Sequence, residues 1–306
     1  MRLSIIIVTY NSLSTIEACL VSVSTATTSD DEVVVVDNCS EDGTRLFVSC
    51  NFPNVRLLQP QTNVGFARAC NLGFRETKGE VCLFLNPDTV VPDGALDRMI
   101  AFQRAHPDVG ILGPELVAPD GKVHRLHTRY PSVARCVLST WVLRLQRPRA
   151  TRDVECVSGA CLMITRRAYE QHGGFDEGIF MFAEDIDLCY RVRASGLRVH
   201  HLGEVSVVHL GGKSATEEMI SGVFNRRQGM RYFFEKHYGS WRSVALRMFW
   251  ALEAVSKITA DSLSYWTVND GRRRFKRQRM QGYALLLRNL HKRCWFLRPD
   301  GSAFGR

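Results

Sequence analysis

Asp37, Asp88, the trio Glu184, Asp185 and Asp187, and His209 are the residues with which this 306-residue sequence can do chemistry. Asp88 ends the stretch Phe84-Leu85-Asn86-Pro87-Asp88, an apolar run that proline stops. A carboxylate at such a strand end stands at the carboxyl edge of a sheet, where open α/β sheets bind their ligands. A hard divalent cation held there by one or two carboxylates keeps positions open for substrate phosphates. The competing reading is an aspartate in an ordinary proline turn. His209 follows a β-branched run and precedes Gly211-Gly212, so it reads either as a structural histidine or as a further ligand for Mn²⁺, less comfortably for Mg²⁺.

Glu184, Asp185 and Asp187 fall in the first turn of a helix, where acids complement the helix dipole. The apolar Phe180-Met181-Phe182 and the flexible Gly173-Gly174 precede them, a setting that desolvates a carboxylate and raises its pKa toward that of a general base. Asn63-Val64-Gly65-Phe66-Ala67-Arg68 begins with a turn and runs into a helix whose first amides, with Arg68, would face an anion. It matches neither the Walker phosphate loop nor the dinucleotide fingerprint.

The elements that must position these residues alternate. Residues 3–8, 32–36, 55–58 and 81–85 are short β-branched or apolar runs of the buried-strand type, with helices predicted over 13–24 and 66–76. Tyr10, Asp37 and Asp88 each stand just past a strand, so one cleft would hold all three. The alternation predicts an α/β fold, a doubly wound, mostly parallel mixed sheet with helices on both faces. Beyond it come a helix over 94–105, a strand over 109–112, a hairpin around Pro119-Asp120-Gly121, and a basic, apolar stretch over 136–149 to which no chemistry is assigned. An apolar run over 157–165, helices over 166–172 and 184–196, and strands over 197–201 and 205–209 complete the first part. Residues 224–237, 243–258 and 275–290 have helical period with arginines and aromatics interleaved.

Charge follows the same division. Residues 225–306 carry 18 Lys and Arg against 5 Asp and Glu, whereas residues 1–224 carry 22 against 26. Such a tail suits an anionic membrane surface, nucleic acid or simple solvation, and its period suits helices lying on a membrane or packed on the main domain. The sequence leaves membrane contact and packing both open for these helices; of the anionic partners an anionic membrane surface is preferred, and no nucleic-acid partner is expected. The ten cysteines show no Cys-x-x-Cys pair, which predicts reduced thiols in a cytoplasmic protein. No signal peptide and no transmembrane span are expected.

Taken in order, Val8-Thr9-Tyr10-Asn11, Asp37-Asn38-Cys39-Ser40-Glu41-Asp42-Gly43-Thr44, Asn63 to Asn71, Asn86-Pro87-Asp88, Gly159-Ala160, Gly173-Gly174-Phe175-Asp176-Glu177, Glu184-Asp185-Ile186-Asp187-Leu188 and His209-Leu210-Gly211-Gly212 resemble the family 2 inverting glycosyltransferases of the GT-A nucleotide-sugar fold, in particular the rhamnosyltransferase-like branch. The resemblance spans residues 3–214, implying a transferase domain over 1–215 and a basic, amphipathic helical region over 216–306. It implies that Thr9 and Tyr10 line a nucleotide pocket in which Asp37 accepts the N3 proton of uracil or thymine. Asn63, Gly65 and Arg68 would lie near the nucleotide, Asn86 near the diphosphate, and Asp88 with His209 on Mg²⁺ or Mn²⁺. Asp185 would be the catalytic base, with Glu184 and Asp187 near the acceptor. Many relatives have Asp-x-Asp where this chain has Asn86-Pro87-Asp88, so one carboxylate is missing and weaker metal binding is implied. The synthase signature Gln-x-x-Arg-Trp is not found.

The implied activity is transfer of rhamnose from dTDP-rhamnose to a glycan or lipid-linked glycan in bacterial envelope polysaccharide synthesis, at the inner face of the cell membrane. A nucleotidyltransferase, or a non-catalytic sugar-nucleotide-binding protein, are the alternatives.

Overall fold

The computed structural model describes residues 3–124, 129–136, 150–211, 219–267, 269–290, 295–298 and 303–305. Gly212 of the last motif and residues 137–149 of the basic, apolar stretch lie outside them. The described residues divide into two compact units.

The first unit is built on Leu3–Thr9 (β1), which is buried along its whole length between its neighbours Glu32–Asp37 (β2) and Val81–Leu85 (β4). Consecutive Ile and Val leave few rotamers to lose and fill both faces of a pleated strand, so these runs have no polar face to give to solvent. Arg56–Leu58 (β3) adds outside β2. All three pairings are parallel. Thr89–Val90 (β5), Val109–Val117 (β6), Arg152–Asp153 (β7), Cys161–Thr165 (β8) and Arg198–His209 (β9) complete a mixed sheet of order β3-β2-β1-β4-β8-β6-β9-β5, with β7 paired to β9.

The helices are Ile16–Ala26 (α1), Thr44–Asn51 (α2), Phe66–Arg75 (α3), Ala95–Ala105 (α4), Arg166–Gln171 (α5) and Glu184–Ala194 (α6). α3 lies so close on the sheet that a Cβ at Gly73 would stand 2.5 Å from Ile6 Cγ2. α1 starts three residues later than its apolar period suggests, because the Ser12 carbonyl accepts from Thr15 N and Ile16 N, both at 2.9 Å, and holds a turn first. α2 was not foreseen; its sequence alternates too many polar residues for a clear apolar stripe. The two strands expected over 197–201 and 205–209 are one, β9, with an irregularity where Pro114 and Glu115 pair with it. The turn at Gly121 forms as expected, with Ala118 N donating to Lys122 O at 2.7 Å.

The second unit contains Met219–His237 (α7), Ser240–Leu263 (α8), Asp270–Asn289 (α9) and a hairpin of Trp295–Leu297 (β10) and Ala303–Gly305 (β11), together with residues 131–136 and 178–183. Phe224, Phe233, Phe234, Leu246, Trp250, Leu286 and Phe296 are buried in it. The hairpin was not read from the sequence.

Candidate functional site

The parallel register sets Thr9 beside Asp37 and Ile7 beside Leu85, so β1 and β2 end level, β4 ends two residues earlier, and the loops that follow gather at one sheet edge. Asp37 is the last residue of β2 and is fully buried, as is Thr9. Burial pushes the Asp37 carboxyl above its ordinary range in spite of the hydrogen bonds from Ser40. Its Oδ2 accepts from Ser40 N at 3.3 Å, while Oδ1, like Thr9 Oγ1, is buried with no hydrogen-bond partner. Tyr10 is half-buried just past β1.

The loops around this pair are tied together. Asn38 N donates to Thr9 O at 2.8 Å, Asn38 Nδ2 to Asn63 Oδ1 at 2.9 Å, and Val64 N to Asn38 Oδ1 at 2.9 Å. Asn63 Oδ1 also takes Gly65 N at 3.0 Å, and Gly65 opens α3 at φ 86°, a conformation that glycine adopts without steric cost. Asn11 and Cys39 hold φ values of 50° and 67°, and Asn11 N donates to Ser40 Oγ at 2.9 Å. Non-glycine residues in this region concentrate where surrounding contacts over-determine the backbone.

β4 ends in the turn at Asn86, whose backbone N–H donates to Ala160 O at 2.9 Å and whose carbonyl accepts from Thr89 Oγ1 at 2.7 Å. Across the antiparallel pairing of β5 with β9, Thr89 stands opposite His209, and Leu210 N donates to Asp88 O at 2.8 Å. The ladder thereby brings His209 Nε2 to 3.2 Å from Asp88 Oδ1. The two atoms face one another without hydrogen-bond alignment, and Asp88 Oδ1 is buried without a hydrogen-bond partner. An oxygen and an imidazole nitrogen so converged fit a shared divalent cation whose remaining positions go to ligand and water. Among the described residues no group of three or more His, Cys, Asp or Glu side chains is placed to hold a metal. His124, not singled out in the sequence, donates from Nε2 to the His209 carbonyl at 2.9 Å.

Asp185 is tied to the same edge through β8. Gly159 N donates to Asp185 Oδ2 at 2.9 Å, next to the Ala160 carbonyl that holds Asn86. A Cβ at Gly159 would lie 3.3 Å from Asp185 Cβ. The neighbouring Glu184 is buried, its Oε2 has no hydrogen-bond partner, and burial first, then the charge of Asp185, push its carboxyl up to about 8.

Asp187 leaves the helix in another direction. Two positions beyond Asp185 is about 200° around a helix, so its carboxylate leaves on the other side. It is fully buried and accepts from Arg191 Nε at 2.8 Å, and Arg191 in turn donates to the carbonyls of His172 and Gly174. Through Arg191, Asp187 helps to hold the turn at Gly173-Gly174 in place. Arg68, expected near the phosphates, donates from Nε to Glu177 Oε2 at 3.0 Å, and Asn71 Nδ2 reaches Glu177 Oε1 at 3.1 Å. Glu177 and Gly159 were visible only as parts of motifs, and no local signal tells which distant side chain each one holds.

A family model described as Glycosyl transferase family 2 matches residues 4–173. An N-acetylglucosaminyl-diphospho-decaprenol L-rhamnosyltransferase of Mycobacterium tuberculosis is 30% identical over an alignment of 267 residues that covers 79% of this chain and 87% of that protein. Among solved structures, the mannosyltransferase PcManGT of Pyrobaculum calidifontis, in complex with GDP-Man and Mn²⁺, superposes with a TM-score of 0.59 at 18% identity, covering 95% of this chain and 88% of that one. TarS 1-349 of S. aureus in complex with UDP superposes with a TM-score of 0.55 at 18% identity, covering 99% and 96%.

Proposed function

We propose that this chain, which belongs to glycosyl transferase family 2 and is a glycosyltransferase of the GT-A fold, transfers rhamnose with inversion from dTDP-rhamnose to a lipid-linked glycan of the cell envelope. The observation that carries the reading is the set of buried oxygens without hydrogen-bond partners at one end of the sheet: Thr9 Oγ1, Asp37 Oδ1 and Asp88 Oδ1, with Glu184 Oε2 beside Asp185. Buried polar atoms are ordinarily paired, so a group of unpaired ones marks where a polar ligand completes the network.

On this reading the base of the donor meets Asp37 and Thr9. A carboxylate is an acceptor only, so Asp37 Oδ1 suits the N3–H of thymine or uracil, the base contact of a pyrimidine donor. Tyr10, Asn63 and Gly65 line the nucleotide, Asn86 borders the diphosphate, and Arg68 acts from its ion pair with Glu177. Asp88 and His209 would hold a divalent cation, Mg²⁺ or Mn²⁺, which when bound supplies positive charge to the diphosphate leaving group.

Asp185, aimed by the Gly159 amide, takes the proton of the acceptor hydroxyl. The freed oxygen attacks the anomeric carbon from the face opposite the diphosphate; the C1–O bond to phosphate breaks, dTDP leaves, and the anomeric configuration inverts. Glu184 keeps its own proton near neutral pH and offers a neutral hydrogen bond beside the base. The relative from Mycobacterium tuberculosis is named for a polyprenyl-diphosphate-linked sugar acceptor, and this supports an acceptor of that class. The basic 216–306 region would then be the part of the chain that meets an anionic membrane surface.

The test is a panel of nucleotide sugars offered with a short polyprenyl-diphosphate N-acetylglucosamine acceptor, with and without Mn²⁺. The expected result is release of dTDP and an inverted rhamnosyl product. Release of pyrophosphate would identify a nucleotidyltransferase, and donor binding with no turnover on any acceptor would identify a non-catalytic binding protein.

A further inference from the structure

The helix Ser240–Leu263 is apolar on two faces, and its own unit covers only one. Ser243, Leu246, Trp250, Glu253, Ala254 and Asp261 are its buried residues. On the opposite side Trp241, Val244, Met248, Leu252, Val255 and Leu263 are 47% to 79% exposed. At helical period these six fall within one sector of about 100°, and the stripe they form is about 33 Å long. In that sector only Thr259 and Ser262 are polar, and Trp266, 76% exposed, continues it just past the helix end. Single exposed apolar residues are ordinary, whereas a continuous row of this length marks an interaction surface.

Charge identifies what it fits. The acids of this helix, Glu253 and Asp261, lie on the buried side and are paired with Arg227 at 2.6 Å and Arg279 at 2.5 Å. The stripe itself carries no acid. Arginines border it: Arg242 is exposed and lies 5.1 Å over the Trp241 ring, and Arg273 lies 5.8 Å over the Trp266 ring. α9, joined to α8 through Arg279 and through Lys276 Nζ donating to Ser264 O at 3.0 Å, presents Arg272, Arg274 and Arg277 exposed. A second copy docked symmetrically on the stripe would bring the flanking Arg242 and Arg273 toward those of the other copy, which like charge opposes. An anionic bilayer suits both parts: apolar side chains enter the acyl boundary, tryptophans sit at headgroup depth, and arginines meet lipid phosphates.

We propose that the outward face of α8, bordered by the arginines of α9, is a membrane-docking surface for anionic lipid, with the helix lying in the plane of the interface. Among the described residues no helix is long and apolar enough to cross a membrane. The inference deepens the proposed action on a lipid-linked acceptor, and the surface itself is read from the helix alone.

The test uses the full chain with vesicles of phosphatidylcholine, with and without phosphatidylglycerol, and no nucleotide. The wild type is expected to co-sediment with the anionic vesicles, with a blue shift of tryptophan emission, and to dissociate as salt is raised. Met248→Glu with Leu252→Glu is expected to weaken binding about tenfold or more. Replacing Arg272, Arg274 and Arg277 by Gln is expected to remove the preference for anionic lipid. Turnover of donor on a water-soluble acceptor should be unchanged in both variants, so failed docking and failed catalysis are read separately. Equal vesicle binding by wild type and the double glutamate variant would overturn the proposal. So would a wild-type dimer that the same variant dissociates without change in vesicle binding.

Discussion

The Gly159 amide donates to Asp185 Oδ2 at 2.9 Å across 26 residues of chain, and the same β8 entry holds the Asn86 turn through the Ala160 carbonyl. The proposed base and the proposed diphosphate site therefore share one rigid strand end. Gly159→Ala would press a methyl against Asp185 and tilt its carboxylate. It is expected to lower kcat about tenfold or more with little change in donor KM, while Asp185→Asn lowers kcat on the order of 10²-fold or more. Steady-state kinetics with saturating acceptor check both.

Asp37→Asn replaces a pure acceptor with a side chain that must also place an N–H in a buried pocket. The nucleotide is expected to bind roughly ten- to hundredfold more weakly. Calorimetry with dTDP, UDP and GDP reads the effect. Loss confined to the pyrimidines supports the assigned contact, and equal loss for all three would place the base elsewhere.

Removal of divalent cation by a chelator is expected to abolish transfer, and Mn²⁺ or Mg²⁺ to restore it. With only Asp88 and His209, among the described residues, converging on the site, the protein's own hold on the ion is expected to be weak and the diphosphate should strengthen it. His209→Ala is accordingly expected to raise the Mn²⁺ concentration needed for half-maximal rate, while Asp88→Asn lowers the maximal rate as well.

Glu184 gives the fold a pH dependence of definite sign. Its carboxyl stands up at about 8 against an ordinary 4.5, so the unfolded chain releases this proton at lower pH than the folded one. The stabilisation is fully present below about pH 4.5 and is lost as pH rises through about 8. Glu184→Gln cannot ionise, so its melting temperature relative to wild type is expected to rise across that window.

Asp187→Asn separates packing from chemistry. Removing the charge leaves Arg191 without its buried partner, at a cost of about 3 kcal/mol, read as a lower urea midpoint. The folded fraction is expected to keep most of its kcat, unlike Asp185→Asn.

Much of the molecule was legible from local chemistry. Runs such as Ile5-Ile6-Ile7 and Val33-Val34-Val35-Val36 have neither polar alternation nor helical period, so they read as buried strands, and the alternation with helices put Asp37 and Asp88 at one edge before any contact was known. The order of motifs carried the family. The elements missed are those with the weakest local pattern: α2, the two-residue strands β5 and β7, and the hairpin of β10 with β11.

Tertiary structure decided what long-range pairing decides. Asp88 meets His209 only because β5 pairs antiparallel with β9, and Asp185 meets Gly159 only because the chain between them folds back on itself. Three acids in one helical turn look alike in sequence; packing buried Glu184, aimed Asp185 and tied Asp187 to Arg191. The same holds for α8. Periodicity shows that a helix has apolar faces, but which of them is covered depends on the neighbours that the rest of the chain supplies, and that is set by the fold as a whole.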